Sequence, residues 1–106
     1  MKKFLFLFRG LPSVPEVRTE SYGKKWVDYF GLLTQGNHLL SGSPLEADGK
    51  VVVGQEVSDF KGEKVDIYGY MLIQAASLEE AVELSKKAPH MALGGTTFVR
   101  PCQETP

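Results

Sequence analysis

The sequence predicts a single α+β domain ordered strand, helix, strand, strand, helix, strand, and three observations carry that reading. Phe4 to Phe8 is an unbroken aromatic and aliphatic run before Arg9, the composition of a central or doubly covered strand. Tyr22, Trp26, Tyr29, Phe30 and Leu33 recur at spacings of three and four, which aligns them along one stripe of a helix. Ser77-Leu78-Glu79-Glu80 is a capping box, a Ser hydroxyl for the third helical amide and a Glu carboxylate to reach back.

Between these anchors the other elements follow from local chemistry. Gly10, Pro12 and Pro15 end strand one and deliver the chain to a helix starting near Glu16 or Val17. Lys24, Lys25 and Asp28 face away from its apolar stripe, and Gly36 is its stop. Asn37 to Leu45 reads as a strand kinked at Gly42 to Pro44. Asp48-Gly49 is a type I′ turn signal that pairs Leu45 with Val51-Val52-Val53 as a hairpin. Gly54 to Asp66 is polar around a lone Phe60 and reads as a surface loop.

Ile67 to Ala75 resumes β character, with Gly69 marking a close approach of another backbone or a ligand. Leu78, Ala81, Val82, Ser85 and Ala88 give the second helix a narrow apolar stripe, Lys86 and Lys87 suit its negative end, and Pro89 ends it. Gly94-Gly95 turns the chain into a last strand, Thr96 to Arg100. Two interlocked crossovers in this order give the ferredoxin-like βαββαβ sandwich, an antiparallel sheet with both helices on one face. Apolar residues in every strand leave the other face too hydrophobic for water. A homodimer through that open face, in the manner of a dimeric α+β barrel, is therefore expected.

Composition bounds the function. The 106 residues make one domain, 1–106, with 42% hydrophobic and 24% charged residues. A formal net charge of −1 gives a polyanion nothing to displace counterions with, so no nucleic acid is expected. The apolar run near the start is too short for a signal sequence, and no stretch approaches the roughly 20 residues of a membrane span. Cys102 is the only cysteine; no internal disulfide can form, a cytoplasmic setting is expected, and two histidines with one thiol match no metal-site spacing. No cofactor is expected.

Candidate site residues are few. His38 or His90 with Asp59 would make a general base near neutral pH, the acid fixing the tautomer of the ring. Arg9 and Arg100, at the ends of adjacent strands, offer planar donor forks for a carboxylate ligand. Trp26, Tyr29, Tyr68 and Tyr70 have the character of a lining for a small aromatic or apolar ligand. Each has a plainer structural reading: an edge or capping His, a loop Asp bonded to its own backbone, surface ion pairs, and core rings.

The ordered set of the aromatic first strand, Trp26 and Leu33 before Gly36, Leu39-Leu40 with Gly42, Pro44 and Leu45, Phe60, Gly69-Tyr70, Ser77 with Glu80 and Ala81, Pro89, and Val99-Arg100-Pro101 resembles the YCII-related family, including its DGPF branch. The resemblance implies dimeric α+β barrel architecture and a His and an Asp facing a pocket between helices and sheet. Where the family's His falls, this chain has Lys25 and Trp26. The DGPF tetrad falls on Val57-Ser58-Asp59-Phe60, so Phe60 is kept and Asp59 stands two residues after Val57. The function that follows is a small dimeric protein binding an aromatic or carboxylate ligand between helices and sheet. A lyase or isomerase using a His/Asp pair, and a non-catalytic partner-binding dimer, are the alternatives.

Overall fold

The computed structural model describes residues 1–10, 15–46, 48–60 and 67–104. Its main sheet has four antiparallel strands, β1 (Lys2–Arg9), β2 (Leu39–Pro44), β5 (Ile67–Ala75) and β6 (Thr96–Pro101), in the order β2-β5-β1-β6. The helices α1 (Glu20–Gln35) and α2 (Leu78–Ser85) connect them. This is the ferredoxin-like order, with a separate two-stranded sheet, β3 (Gly49–Val53) and β4 (Glu56–Phe60), inserted between β2 and β5.

Strand alternation separates two environments. On β1, Phe4, Phe6 and Phe8 are buried under the helices; Phe6 lies opposite Met71 and Phe4 opposite Ile73 on β5. Tyr29 and Leu33 of α1 and Ala81 of α2 close that core. The intervening residues Leu5, Leu7 and Arg9 share the open face with Leu72, Tyr70, Phe98 and Arg100. The first strand is central, as its composition implies.

The start of α1 lies later than its periodicity suggests. Pro15–Arg18 is a 3-10 turn, and Thr19 is the true N-cap, its hydroxyl accepting from the Tyr22 amide at 3.2 Å while donating to the Glu16 carbonyl at 2.7 Å. At the other end Gly36 is the C-cap, but Asn37 takes the left-handed conformation (φ 60°). The Asn37 amide bonds the Thr34 carbonyl and the His38 amide the Leu33 carbonyl, the two bonds of a Schellman motif.

The hairpin signal at Asp48-Gly49 is overturned. β2 runs on past Pro44 along β5, with the Leu45 amide donating to the Tyr68 carbonyl at 2.9 Å, so Leu45 has no pairing left for Val51. β3 pairs instead with β4, Val52 opposite Val57 and Val53 opposite Glu56, through a two-residue Gly54-Gln55 turn. Gly54 has φ +60°, the value that I′ and II′ turns demand at their first central position and that glycine adopts without strain. Residues 56–60, expected in a loop, are therefore strand; the remainder of that expected loop, 61–66, lies outside the described residues. The irregularity in β2 falls between Leu39 and Ser41 rather than at Gly42 to Pro44.

The capping box forms with one difference. The Glu80 amide donates to Ser77 Oγ at 3.1 Å, and the Glu80 carboxylate accepts from the Ala76 amide, one residue before the cap. α2 stops at Ser85 rather than running to Pro89. Ala88 sits before Pro89 at ψ 138°, because the proline ring disfavours helical ψ in the residue before it. Pro89–Leu93 then forms a 3-10 turn that carries His90 under the sheet.

Candidate functional site

A cavity of about 230 Å³ opens between α1 and the β2-β5-β1 end of the sheet, lined by Phe8, Trp26, Phe30, Ser43, Pro44, Tyr68, Gly69 and Tyr70. Phe8 reaches it because it is the last inward residue of β1, and Trp26 and Phe30 because they lie one helical turn apart on α1. Tyr68 is placed by a bulge. The register shifts between Phe8 and Arg9, Phe8 facing Gly69 and Arg9 facing Ile67, so Tyr68 is the extra residue and its side chain is re-aimed. Phe8 and Trp26 meet edge to face with centroids 5.2 Å apart, a favoured aromatic geometry. At Gly69 an added Cβ would meet Phe8 at 3.3 Å, which explains the small residue in the cavity floor.

Behind these rings lies His90, with 0% exposure. Its ring stacks on Trp26 (5.5 Å, 19°) and meets Phe8 (5.1 Å) and Tyr68 (5.9 Å) edge to face. His90 Nε2 is 3.2 Å from the Thr96 carbonyl oxygen and 2.9 Å from Thr97 Oγ1. A carbonyl only accepts, so Nε2 carries the proton and donates, leaving Nδ1 with a bare lone pair. Burial holds the imidazole below its ordinary pKa, partly opposed by the Thr96 bond, so the ring is neutral. Among the described residues, Nδ1, the Tyr68 hydroxyl and the Tyr22 hydroxyl are buried without a hydrogen-bond partner. Burial also holds the Tyr68 phenol well above its ordinary pKa, with the Tyr22 hydroxyl adding to the shift.

The three acid-base candidates stand in three places. His38 Nδ1 donates to the Gln74 carbonyl at 2.9 Å, while Gln74 bonds back to the His38 and Asn37 carbonyls. His38 thus fastens the start of β2 to β5, four residues and about 13 Å along the strand from Tyr70. Asp59 is exposed on β4 and pairs with Lys50 across the hairpin. Of the three, His90 alone adjoins the cavity, and no His/Asp pair is assembled among the described residues.

Arg9 and Arg100 are likewise apart. Their strands are adjacent but antiparallel, Arg9 opposite Thr96 and Arg100 opposite Leu5, so the two are offset by about 13 Å along the strands. The Arg9 guanidinium lies over the Phe98 ring at 4.3 Å. Of the remaining ligand candidates, Trp26 lines the cavity and Tyr70 only borders it from β5, being an open-face residue by strand alternation, whereas Phe60 contributes its backbone to β4 opposite Gly49 and its side chain lies outside the described residues. Tyr29 is core, its hydroxyl donating to the Leu84 carbonyl at 2.9 Å to tie α1 to α2. Phe8, Phe30, Ser43 and Pro44 join the lining without having been singled out; only the assembled sheet end brings them together.

Among the described residues, no three of His, Cys, Asp and Glu gather as a metal would require, and no helix is long and apolar enough to cross a membrane.

No family model and no curated protein matches the chain. Among solved structures, it is similar to 5-chloro-2-hydroxyhydroquinone dehydrochlorinase from Burkholderia phenoliruptrix AC1100, determined in complex with 2,5-dihydroxybenzoquinone. The TM-score is 0.61 at 19% identity, over 97% of this chain and 95% of that one. The likeness is one of fold, and it agrees with the α+β, ferredoxin-like architecture.

Proposed function

We propose that this chain is a small-molecule-binding protein of YCII-related type that takes a single uncharged aromatic ring between α1 and the sheet. The observation that carries the reading is the 230 Å³ cavity with walls of Phe8, Trp26, Phe30, Pro44 and Tyr68. An apolar cavity of about 150 Å³ accepts benzene, so this one has room for one substituted ring and not for a fused polycycle. Of the two expected ligand classes the aromatic one is favoured, because the described lining presents no cation to a carboxylate. The neighbouring dehydrochlorinase, bound to a six-membered quinone ring, supports the same ligand shape.

A ligand of seven or eight heavy atoms in such a site binds with Kd on the order of 0.1–1 mM. Titration with toluene, anisole and benzoate, followed by thermal shift and by Trp26 fluorescence, tests this. At ten times Kd a neutral ring stabilises by about 1.4 kcal/mol, a rise of about 6 °C in Tm. Toluene is expected to give that rise, benzoate none, and Trp26→Ala to abolish it. Absence of saturable binding by any neutral ring at ten millimolar (roughly ten times the upper Kd estimate) overturns the reading.

A lyase- or isomerase-type enzyme is the second reading, and a specific observation favours it: a neutral imidazole with an unprotonated Nδ1 directly behind the cavity. In that case His90 acts as base without Asp59, whose carboxylate is engaged by Lys50 on the hairpin. The homodimer through the open sheet face belongs to the same proposal and is supported by the exposed or half-buried Leu5, Leu7, Leu72 and Phe98 on that face.

A further inference from the structure

Apolar walls account for the body of the cavity but not for the polar atoms at its rear. Native interiors leave few polar atoms without partners, and those that persist call for an explanation. Here two are associated: the Tyr68 hydroxyl and His90 Nδ1 are both buried without a partner among the described residues, and Tyr68 lines the cavity and also meets the His90 ring edge-on at 5.9 Å.

The orientation of the imidazole is fixed from two sides. Its Nε2 is held by Thr96 and Thr97. Its Cδ2 edge lies against Gly95, where an added Cβ would come within 2.4 Å of Cδ2 and 2.9 Å of Cγ. No other residue type leaves room for the ring there. Nδ1 and Cε1 form the edge opposite Cδ2, so the bare lone pair faces away from Gly95.

We propose that His90 Nδ1 and the Tyr68 hydroxyl form a polar seat behind the aromatic cavity that takes a ring hydroxyl, making the ligand class phenolic. This rests on the cavity reading and narrows it. A hydroxyl offers one donor and two acceptor lone pairs; the seat offers one obligate acceptor, Nδ1, and one hydroxyl donor. The phenol O–H donates to Nδ1, and its oxygen accepts from Tyr68. A methyl in the same place leaves both atoms unpaired, and a carboxylate oxygen sets a lone pair against that of Nδ1. His90 is not itself a cavity wall; Phe8, Trp26 and Tyr68 stand in front of it. A ring entering hydroxyl-first reaches the seat by rotation of Tyr68, whose side chain is only partly buried.

Phenol and toluene, equal in shape, separate the seat from the cavity. Wild-type protein is titrated with each, reading affinity by thermal shift and the His90 ring nitrogens by long-range proton–nitrogen NMR. Phenol is expected to bind at least ten times more tightly than toluene, although toluene is the less hydrated solute. The Nδ1 resonance is expected to lie at the bare-nitrogen position in the free protein and to move toward the hydrogen-bonded position with phenol alone. Tyr68→Phe is expected to keep its Tm or raise it, since it removes a hydroxyl without a partner, while lowering the phenol preference below threefold. Equal binding of the two compounds overturns the seat and leaves the cavity reading standing. Binding of neither overturns both. A phenol preference with an unmoved Nδ1 resonance, or one retained in full by Tyr68→Phe, also overturns the seat.

Discussion

His90 is the residue on which chemistry and stability meet. Its ring is wholly buried, neutral, and held by one hydrogen-bonding edge, and its pKa is lowered by desolvation. The unfolded chain, with a His pKa near 6.5, therefore binds a proton that the folded chain refuses. Stability is fully present above about pH 6.5 and is lost as pH falls from there through the folded pKa, with a slope of at most about 1.4 kcal/mol per pH unit for one proton. Urea denaturation at several pH values between 7.5 and 4.5 should show this slope in the wild type and a flatter one in His90→Gln, whatever the variant's absolute stability. Parallel slopes would mean that another group governs acid sensitivity. From the sequence, His90 was legible as a base candidate only in company with Asp59, which stands on the β3-β4 hairpin paired with Lys50. The two facts that make it a base candidate, the carbonyl at Nε2 and the ring space over Gly95, depend on residues five to seven positions later folding back, and no local pattern announces that.

At the scale of elements, periodicity and capping carried most of the reading because they are local. The aromatic stripe of α1 is buried as its spacing requires, and the Ser77 cap forms. What was not legible was competition between partners. Asp48-Gly49 is a sound turn signal, yet β2 pairs with β5, a strand more than twenty residues on, and leaves β3 to pair with β4. Tyr68 reaches the cavity through a bulge, again a property of two strands and not of one. The β3-β4 hairpin packs chiefly on itself and leaves Val52, Val53 and Val57 more than 60% exposed. A two-stranded hairpin alone is marginal in water. Amide exchange should therefore distinguish it: amides of residues 49–60 open by local fluctuation, while those of β1 and β5 require opening close to global. Equal protection in dilute monomer would show that the hairpin is held by contacts beyond its own ladder.

The whole molecule is broader than its chain length requires. Its radius of gyration is 15.1 Å and its extents 43 × 40 × 18 Å, against about 13 Å for a compact chain of this size. The projecting hairpin and the thin sheet-plus-helix layer account for this shape, and both expose apolar surface. On the open face, Leu5, Leu7, Tyr70 and Leu72 form a half-buried centre beside the exposed Phe98, with Arg9 and Arg100 toward opposite ends. A two-fold axis through that centre would bury the leucines against their copies and leave both arginine ends at the rim, where charge is tolerated. Strand alternation makes the test clean, because Leu7 and Leu72 point away from the cavity-lining Phe8 and the buried Met71 and Ile73. Leu72→Lys should convert a particle of twice the chain mass into one of the chain mass in sedimentation velocity at micromolar concentration. The toluene-induced rise in Tm should persist in the variant, since the cavity lies on the other side of the sheet from the substitution. A wild-type monomer at those concentrations, or a Leu72→Lys protein that stays dimeric, would remove the open face as the interface and leave its leucines without a role.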